Sequence, residues 1–210
     1  EIRQLQLTNF RNYDTEIIDF EPGINVIYGN NAKGKTNILE SIFVCATTKS
    51  HRTHHDKEMI SYDQPFARIH LVYEKDLGKG RIDYYLKSTD KNTILLHGIP
   101  IKKKSELLGQ IHVVMFSPED LGLIKQSPAI RRNFMDTELC QLDPKYFYHL
   151  GRYQYFLKQR NNVLKVHAMS KDFKGMIEVI DDQLVSHGIE VIEGRQGFID
   201  RLAEVTHALD

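Results

Sequence analysis

Residues 2–10 alternate around Leu5 and Leu7, the period of a half-buried strand. Ile17, Ile18 and Phe20 form a second short apolar run, closed by Glu21-Pro22-Gly23. Residues 24–28 (INVIY) are rich in β-branched side chains and predict a buried strand. The period then changes. Ile38, Leu39, Ile42 and Phe43 recur at helical spacing, which predicts a helix over 36–47. Residues 67–73, 81–86 and 93–96 read as a strand series, with turns at 77–80 and 88–92. Residues 111–116 (IHVVMF) predict another buried strand.

The second half reads as helix. Asp143 before Pro144 supplies an N-cap side chain and a fixed φ in the first turn, and the run to about Val166 has no further proline. Another helix is expected over 173–209, broken or loosened near Gly188, with Gly194 and Gly197 weakening its last part. The pattern gives an α/β fold: a nucleotide-binding lobe over 1–125 and a helical lobe over 126–210.

Between the strand-like run 24–28 and the helix lies Gly29-Asn30-Asn31-Ala32-Lys33-Gly34-Lys35-Thr36, a match to G-x-x-x-x-G-K-[ST]. Chance would produce that string in a chain of this size on the order of 1% of the time. Its place between a strand and a helix is what the chemistry requires. The glycines let the backbone curl so that N–H groups point inward at phosphate oxygens. The following helix start adds its partial positive charge. Lys35 supplies a mobile cation for the β- and γ-phosphates of ATP, and Thr36 a hydroxyl for Mg²⁺.

Composition narrows the rest. Among 210 residues, 28 are Lys or Arg and 28 are Asp or Glu, so any polyanion must meet a local patch. The two cysteines, Cys45 and Cys140, exclude a disulfide framework and a four-cysteine zinc site and suit a reducing compartment. No apolar run reaches the ~18 residues of a membrane span. The expectation is a soluble, cytoplasmic protein with no membrane partner.

Other nucleotide chemistries lack their marks. No N-K-x-D base-recognition element, no arginine-rich lid, no L-S-x-G-Q/E signature and no apolar strand ending in Asp is present. Phosphate binding is therefore better supported than turnover. A small-molecule kinase using the same loop remains an alternative, as does a partner-binding domain that needs no nucleotide.

Asn9-Phe10-Arg11-Asn12-Tyr13, the phosphate loop with Asn37 and Leu39-Glu40, Ser50-His51-Arg52, and Phe116-Ser117-Pro118-Glu119-Asp120-Leu121 occur in that order. Pro128 with Arg131-Arg132 and Asp136, then Leu157-Lys158-Gln159-Arg160-Asn161, continue it. The set resembles the RecF family, bacterial recombination-mediator ATPases related to SMC-type ABC ATPases. Ala32 stands where that family usually has glycine. The resemblance implies an ABC-ATPase-like lobe of mixed sheet plus antiparallel strands, followed by a helical lobe. It also implies ATP with Mg²⁺, an ATP-dependent homodimer, DNA binding, and work at gaps with RecR and, indirectly, RecO. The family's signature motif and Walker B acid lie further along than residue 210, so an N-terminal fragment with little turnover of its own is expected, from a protein that is a weak ATPase when intact.

The same resemblance brings Arg11, His51 and Arg52 toward the nucleotide, beside residues 29–37. Glu119 and Asp120 follow a predicted strand, near the Mg²⁺ or as acids at a helix start. His51, His54 and His55 have spacing that suits two imidazoles on one helix face, but no H-E-x-x-H motif supports a metal. Lys102-Lys103-Lys104, with Arg131 and Arg132, are candidate contacts for DNA phosphates. Tyr153, Tyr155 and Phe156 read as packing of the helical lobe rather than base-stacking platforms.

Overall fold

The structure is a computed structural model that describes residues 1–76, 78–117, 122–166 and 173–208. Two compact units form, Glu1–Met115 and Phe116–Asp210, so the division falls ahead of the expected boundary near residue 125. The expected site acids Glu119 and Asp120 lie outside the described residues.

The first unit carries a six-stranded sheet in the order β2-β1-β3-β4-β5-β6. Its strands are β1 (Ile2–Phe10), β2 (Tyr13–Asp19), β3 (Phe66–Lys75), β4 (Gly78–Lys87), β5 (Thr93–Leu96) and β6 (Ile99–Pro100). Every pairing is antiparallel. Alternation builds the core. Ala67, Ile69, Leu71 and Tyr73 point inward from β3, and Ile82, Tyr84 and Leu86 from β4. They join Leu5, Leu7 and Phe10 of β1 and the buried face of helix α1 (Lys35–Thr47). On the outer face, Asp83 takes Arg68 at 2.5 Å and His70 at 2.8 Å. β4 begins at Gly78, so residues 78–80 of the expected turn belong to the strand.

Two expected strands do not form. Residues 24–28 and 111–116 pair with no strand among the described residues. Ile24 is 93% exposed and Tyr28 90%, while Ile27 touches the core. Val113 likewise packs inward and Val114 is 81% exposed. The reason is that β-branched composition describes a side chain's surroundings, whereas a strand also needs a hydrogen-bonded neighbour. Asn25 closes the first segment locally: its Oδ1 accepts the Glu21 N–H at 3.0 Å and its amide donates to the Glu21 carbonyl at 2.8 Å.

The second unit is helical: α2 (Gly122–Lys125), α3 (Pro128–Leu142), α4 (Pro144–Val166) and α5 (Phe173–His207). Tyr146, Leu150 and Val191 form its core, with Leu139, Cys140 and Tyr153 packed around them. Asp136 of α3 accepts both Nε and Nη2 of Arg195 at 2.9 Å and the Tyr146 hydroxyl at 2.5 Å, tying three helices together. α5 runs unbroken through Gly188, contrary to the expected break. A Cβ there would make only ordinary contact with the Tyr153 ring, 3.4 Å away, and the helix carries this glycine without a stop. No helix among the described residues is long and apolar enough to cross a membrane.

Candidate functional site

The phosphate loop closes on itself. The Lys35 ammonium donates to the Gly29 and Asn30 carbonyls, both at 2.8 Å, so the end of the loop reaches back over its beginning. Gly34 has φ 95° and stands at the N-cap of α1, where no side chain caps the helix. Its first-turn N–H groups thus open toward an anion, aided by the helix dipole. A Cβ on Gly34 would sit 2.6 Å from Asn12 Oδ1 and 2.8 Å from the Tyr13 ring, so glycine is required by space as well as by φ. Ala32 also adopts a left-handed conformation, φ 62°. Most of the loop, from Gly29 to Lys33, faces solvent, as does Thr36, while Gly34 and Lys35 are half-buried.

The β1–β2 turn packs beside this loop. Tyr13 Oη donates to the Lys33 carbonyl at 3.3 Å, and Asn37 Nδ2 donates to Asn12 Oδ1 at 2.6 Å. The turn is itself held in place. Arg11 N–H donates to the Met59 carbonyl at 2.9 Å, and Ser61 Oγ to the Arg11 carbonyl at 2.7 Å. Arg11, at φ 55°, is thereby aimed at α1.

There it meets Glu40, which is wholly buried. Arg11 donates Nη2 to Oε1 at 2.6 Å and Nε to Oε2 at 2.9 Å, a bidentate fork. Ser50 Oγ donates to Oε1 at 2.5 Å, and Arg52 Nη1 approaches Oε2 at 3.4 Å. Burial pushes the Glu40 carboxyl up, but the hydrogen bonds from Arg11 and Ser50 and the charges of Arg11 and Arg52 outweigh it and hold it below the usual carboxylate range. Arg52 Nη1 also donates to Asn37 Oδ1 at 2.7 Å, on the first turn of the same helix. One network therefore joins Asn12, Asn37, Arg52, Glu40 and Arg11 next to the loop.

The structure thus brings together residues 29–37, Arg11 and Arg52. His51 sits nearby, its ring edge-on to Phe43 at 5.6 Å. Among the described residues no group of three His, Cys, Asp or Glu side chains is placed to hold a metal ion. Sequence reasoning gave no role to Glu40. Its signal was available: Glu40 is the single charged residue between Lys35 and Lys49, in a helix otherwise apolar or small there.

The basic candidates separate. Lys102, Lys103 and Lys104 line a cavity of about 600 Å³ that also takes Lys57, Lys87 and Lys91 from two other segments. Its two acids are engaged: Asp56 accepts from Asn92 at 2.6 Å, and Asp90 lies 3.7 Å from Lys87. In the other unit, Arg131 donates to the Leu123 and Gln126 carbonyls at 3.2 and 3.3 Å, and Arg132 is exposed.

Comparison with known proteins fits this arrangement. The family model of the AAA domain matches residues 4–186. The DNA replication and repair protein RecF of Lachnoclostridium phytofermentans is 44% identical over 208 residues, 99% of this chain and 58% of that protein. The same-named protein of Clostridium acetobutylicum is 47% identical over 206 residues, 97% of this chain and 55% of its own length. The solved structure of the recombination mediator protein RecF-ATPrS in the RecFOR pathway has a TM-score of 0.91 at 30% identity, covering 96% of this chain and 55% of that one. An SMC ATPase structure, with a TM-score of 0.54 and 21% identity, shares the fold. The chain spans a little over half the length of the curated relatives it matches. A phosphate loop of this geometry, on this sheet and in this order of motifs, belongs to the AAA-domain family, and within it the chain is of the RecF type.

Proposed function

We propose that this chain is the phosphate-binding part of a RecF-type DNA repair protein, and that residues 29–36 bind the triphosphate of ATP. The observation that carries the reading is the uncapped start of α1 beside a loop closed by the Lys35 ammonium. The backbone N–H groups and Lys35 take the phosphates. Thr36 would offer Mg²⁺ a hydroxyl, while the next acid along α1, Glu40, is engaged by Arg11 and Ser50. Mg²⁺ would neutralise phosphate charge there.

The lysine cavity supports a second role for the same unit. Cations from three segments converge on exposed stems, a pattern suited to phosphate backbone rather than to bases. We assign it to DNA, with ATP-dependent pairing of two copies and action at gaps with RecR and RecO as the family role of the whole protein. Turnover is expected to be slight in this chain alone, because its sequence carries neither an L-S-x-G-Q/E signature nor an apolar strand ending in Asp.

Amide hydrogen exchange tests the reading. Adding ATP with Mg²⁺ should slow exchange across residues 29–37 and leave β3 and β4 unchanged. Equal exchange in the loop with and without nucleotide would contradict it.

A further inference from the structure

Two arginines flank the phosphate loop, and the structure treats them differently. Arg11 has every nitrogen committed within the protein: Nε and Nη2 to Glu40, and Nη1 to the Glu58 carbonyl at 2.7 Å. Arg52 commits only Nη1, to Asn37 at 2.7 Å and Glu40 at 3.4 Å, and nearly half of its side chain is exposed. Its remaining guanidinium nitrogens have no protein partner among the described residues.

The buried carboxylate explains the division of labour. A lone carboxylate in a fully buried site is costly. The Arg11 fork neutralises it and fixes its plane. Ser50 Oγ takes a further lone pair, and Ser50 in turn accepts the Arg52 N–H at 2.9 Å and the Thr53 N–H at 3.2 Å. The Ser50 hydroxyl thus ties the backbone that carries Arg52 to the same carboxylate. What is left of Glu40 then holds the Arg52 guanidinium against Asn37, two residues after Lys35. Restricting a long side chain before the ligand arrives lowers the entropy lost on binding.

Resting on the nucleotide-binding reading above, we propose that Glu40 is a positioning residue. It never touches the nucleotide; with Arg11 as its counter-ion it presets Arg52 as a second cation for the polyphosphate beside Lys35. The class of ligand is a nucleoside triphosphate or inorganic triphosphate, whose tail carries more charge than one ammonium can match.

The test is a binding cycle on this chain with ATP and Mg²⁺, and with inorganic triphosphate, over Arg52→Ala, Glu40→Gln, their double variant and Lys35→Ala. Arg52→Ala should weaken binding about tenfold, the worth of a charge-assisted contact. Glu40→Gln should weaken it by a similar factor, and the double variant no further, because both remove the same interaction. Should Glu40→Gln fail to fold, Asn37→Ala takes its place: Arg52→Ala on top of Asn37→Ala should match Arg52→Ala alone, for either ligand. Lys35→Ala should remain additive with each. Wild-type affinity in Arg52→Ala, or losses that multiply in the double variants, would overturn the proposal while leaving the loop reading intact. A wild-type chain that binds neither ligand would overturn the loop reading itself.

Discussion

The Arg11 guanidinium lies fork-to-fork on the Glu40 carboxylate, 2.6 and 2.9 Å away, and so joins the first hairpin to the helix that begins at the phosphate loop. The residue pair is separated by 29 positions in sequence. It converts a turn, Asn9 to Tyr13, into one wall of the site.

Breaking that pair should be expensive. Arg11→Ala leaves a buried carboxylate without its main partner, and a loss of about 3 kcal/mol in unfolding free energy is expected. The sign of the pH effect follows from the lowered carboxyl pKa values of Glu40 and of Asp83, which burial raises but Arg68 and His70 bring down. Their contribution is complete above the ordinary carboxylate range, about pH 4–5, and is lost as pH falls through the lowered folded values. Urea unfolding at a series of pH values should show stability declining below that range, with a shallower decline in Glu40→Gln.

Ala32 holds a left-handed conformation that costs an alanine about 1 kcal/mol. Ala32→Gly should therefore stabilise the first unit by up to about 1 kcal/mol. Thermal unfolding of the two proteins measures it. A lower melting temperature in the glycine variant would contradict the backbone assignment.

Two glycines of α5 should respond in opposite directions. A Cβ on Gly194 would meet the Tyr146 ring at 2.6 Å, and that ring is fixed by its hydroxyl bond to Asp136. Gly194→Ala should cost about 1–3 kcal/mol. A Cβ on Gly197 meets nothing within 4 Å, so Gly197→Ala should gain up to about 1 kcal/mol from helix propensity. Denaturation midpoints decide the pair.

If the lysine cavity grips phosphate backbone, changing Lys102, Lys103 and Lys104 together to Gln should weaken duplex binding and flatten its salt dependence. The log–log slope should fall by about 0.9 for each phosphate that the variant no longer neutralises. An unchanged slope would remove the cavity from the DNA path.

Much of this was legible along the chain. The alternation in β1 and β3, the helical spacing of α1, the proline start of α4 and the phosphate loop all carry local signals. Residues 24–28 and 111–116 misled because their apolar character is real while their pairing depends on neighbours that local pattern does not reveal. Gly188 misled because one glycine costs a helix only about 1 kcal/mol, which a helix of 35 residues absorbs. The Glu40 network was harder to see, since its members lie at 11, 37, 40, 50 and 52 and meet only once the first hairpin folds over α1.

Calorimetric titration of ATP with Mg²⁺ into the wild-type chain and into Lys35→Ala bears most directly on the loop. Removing the ammonium that closes over Gly29 and Asn30 should abolish most of the binding heat while the protein stays folded. Equal affinity in the two proteins would contradict the assignment of residues 29–36 as the triphosphate site.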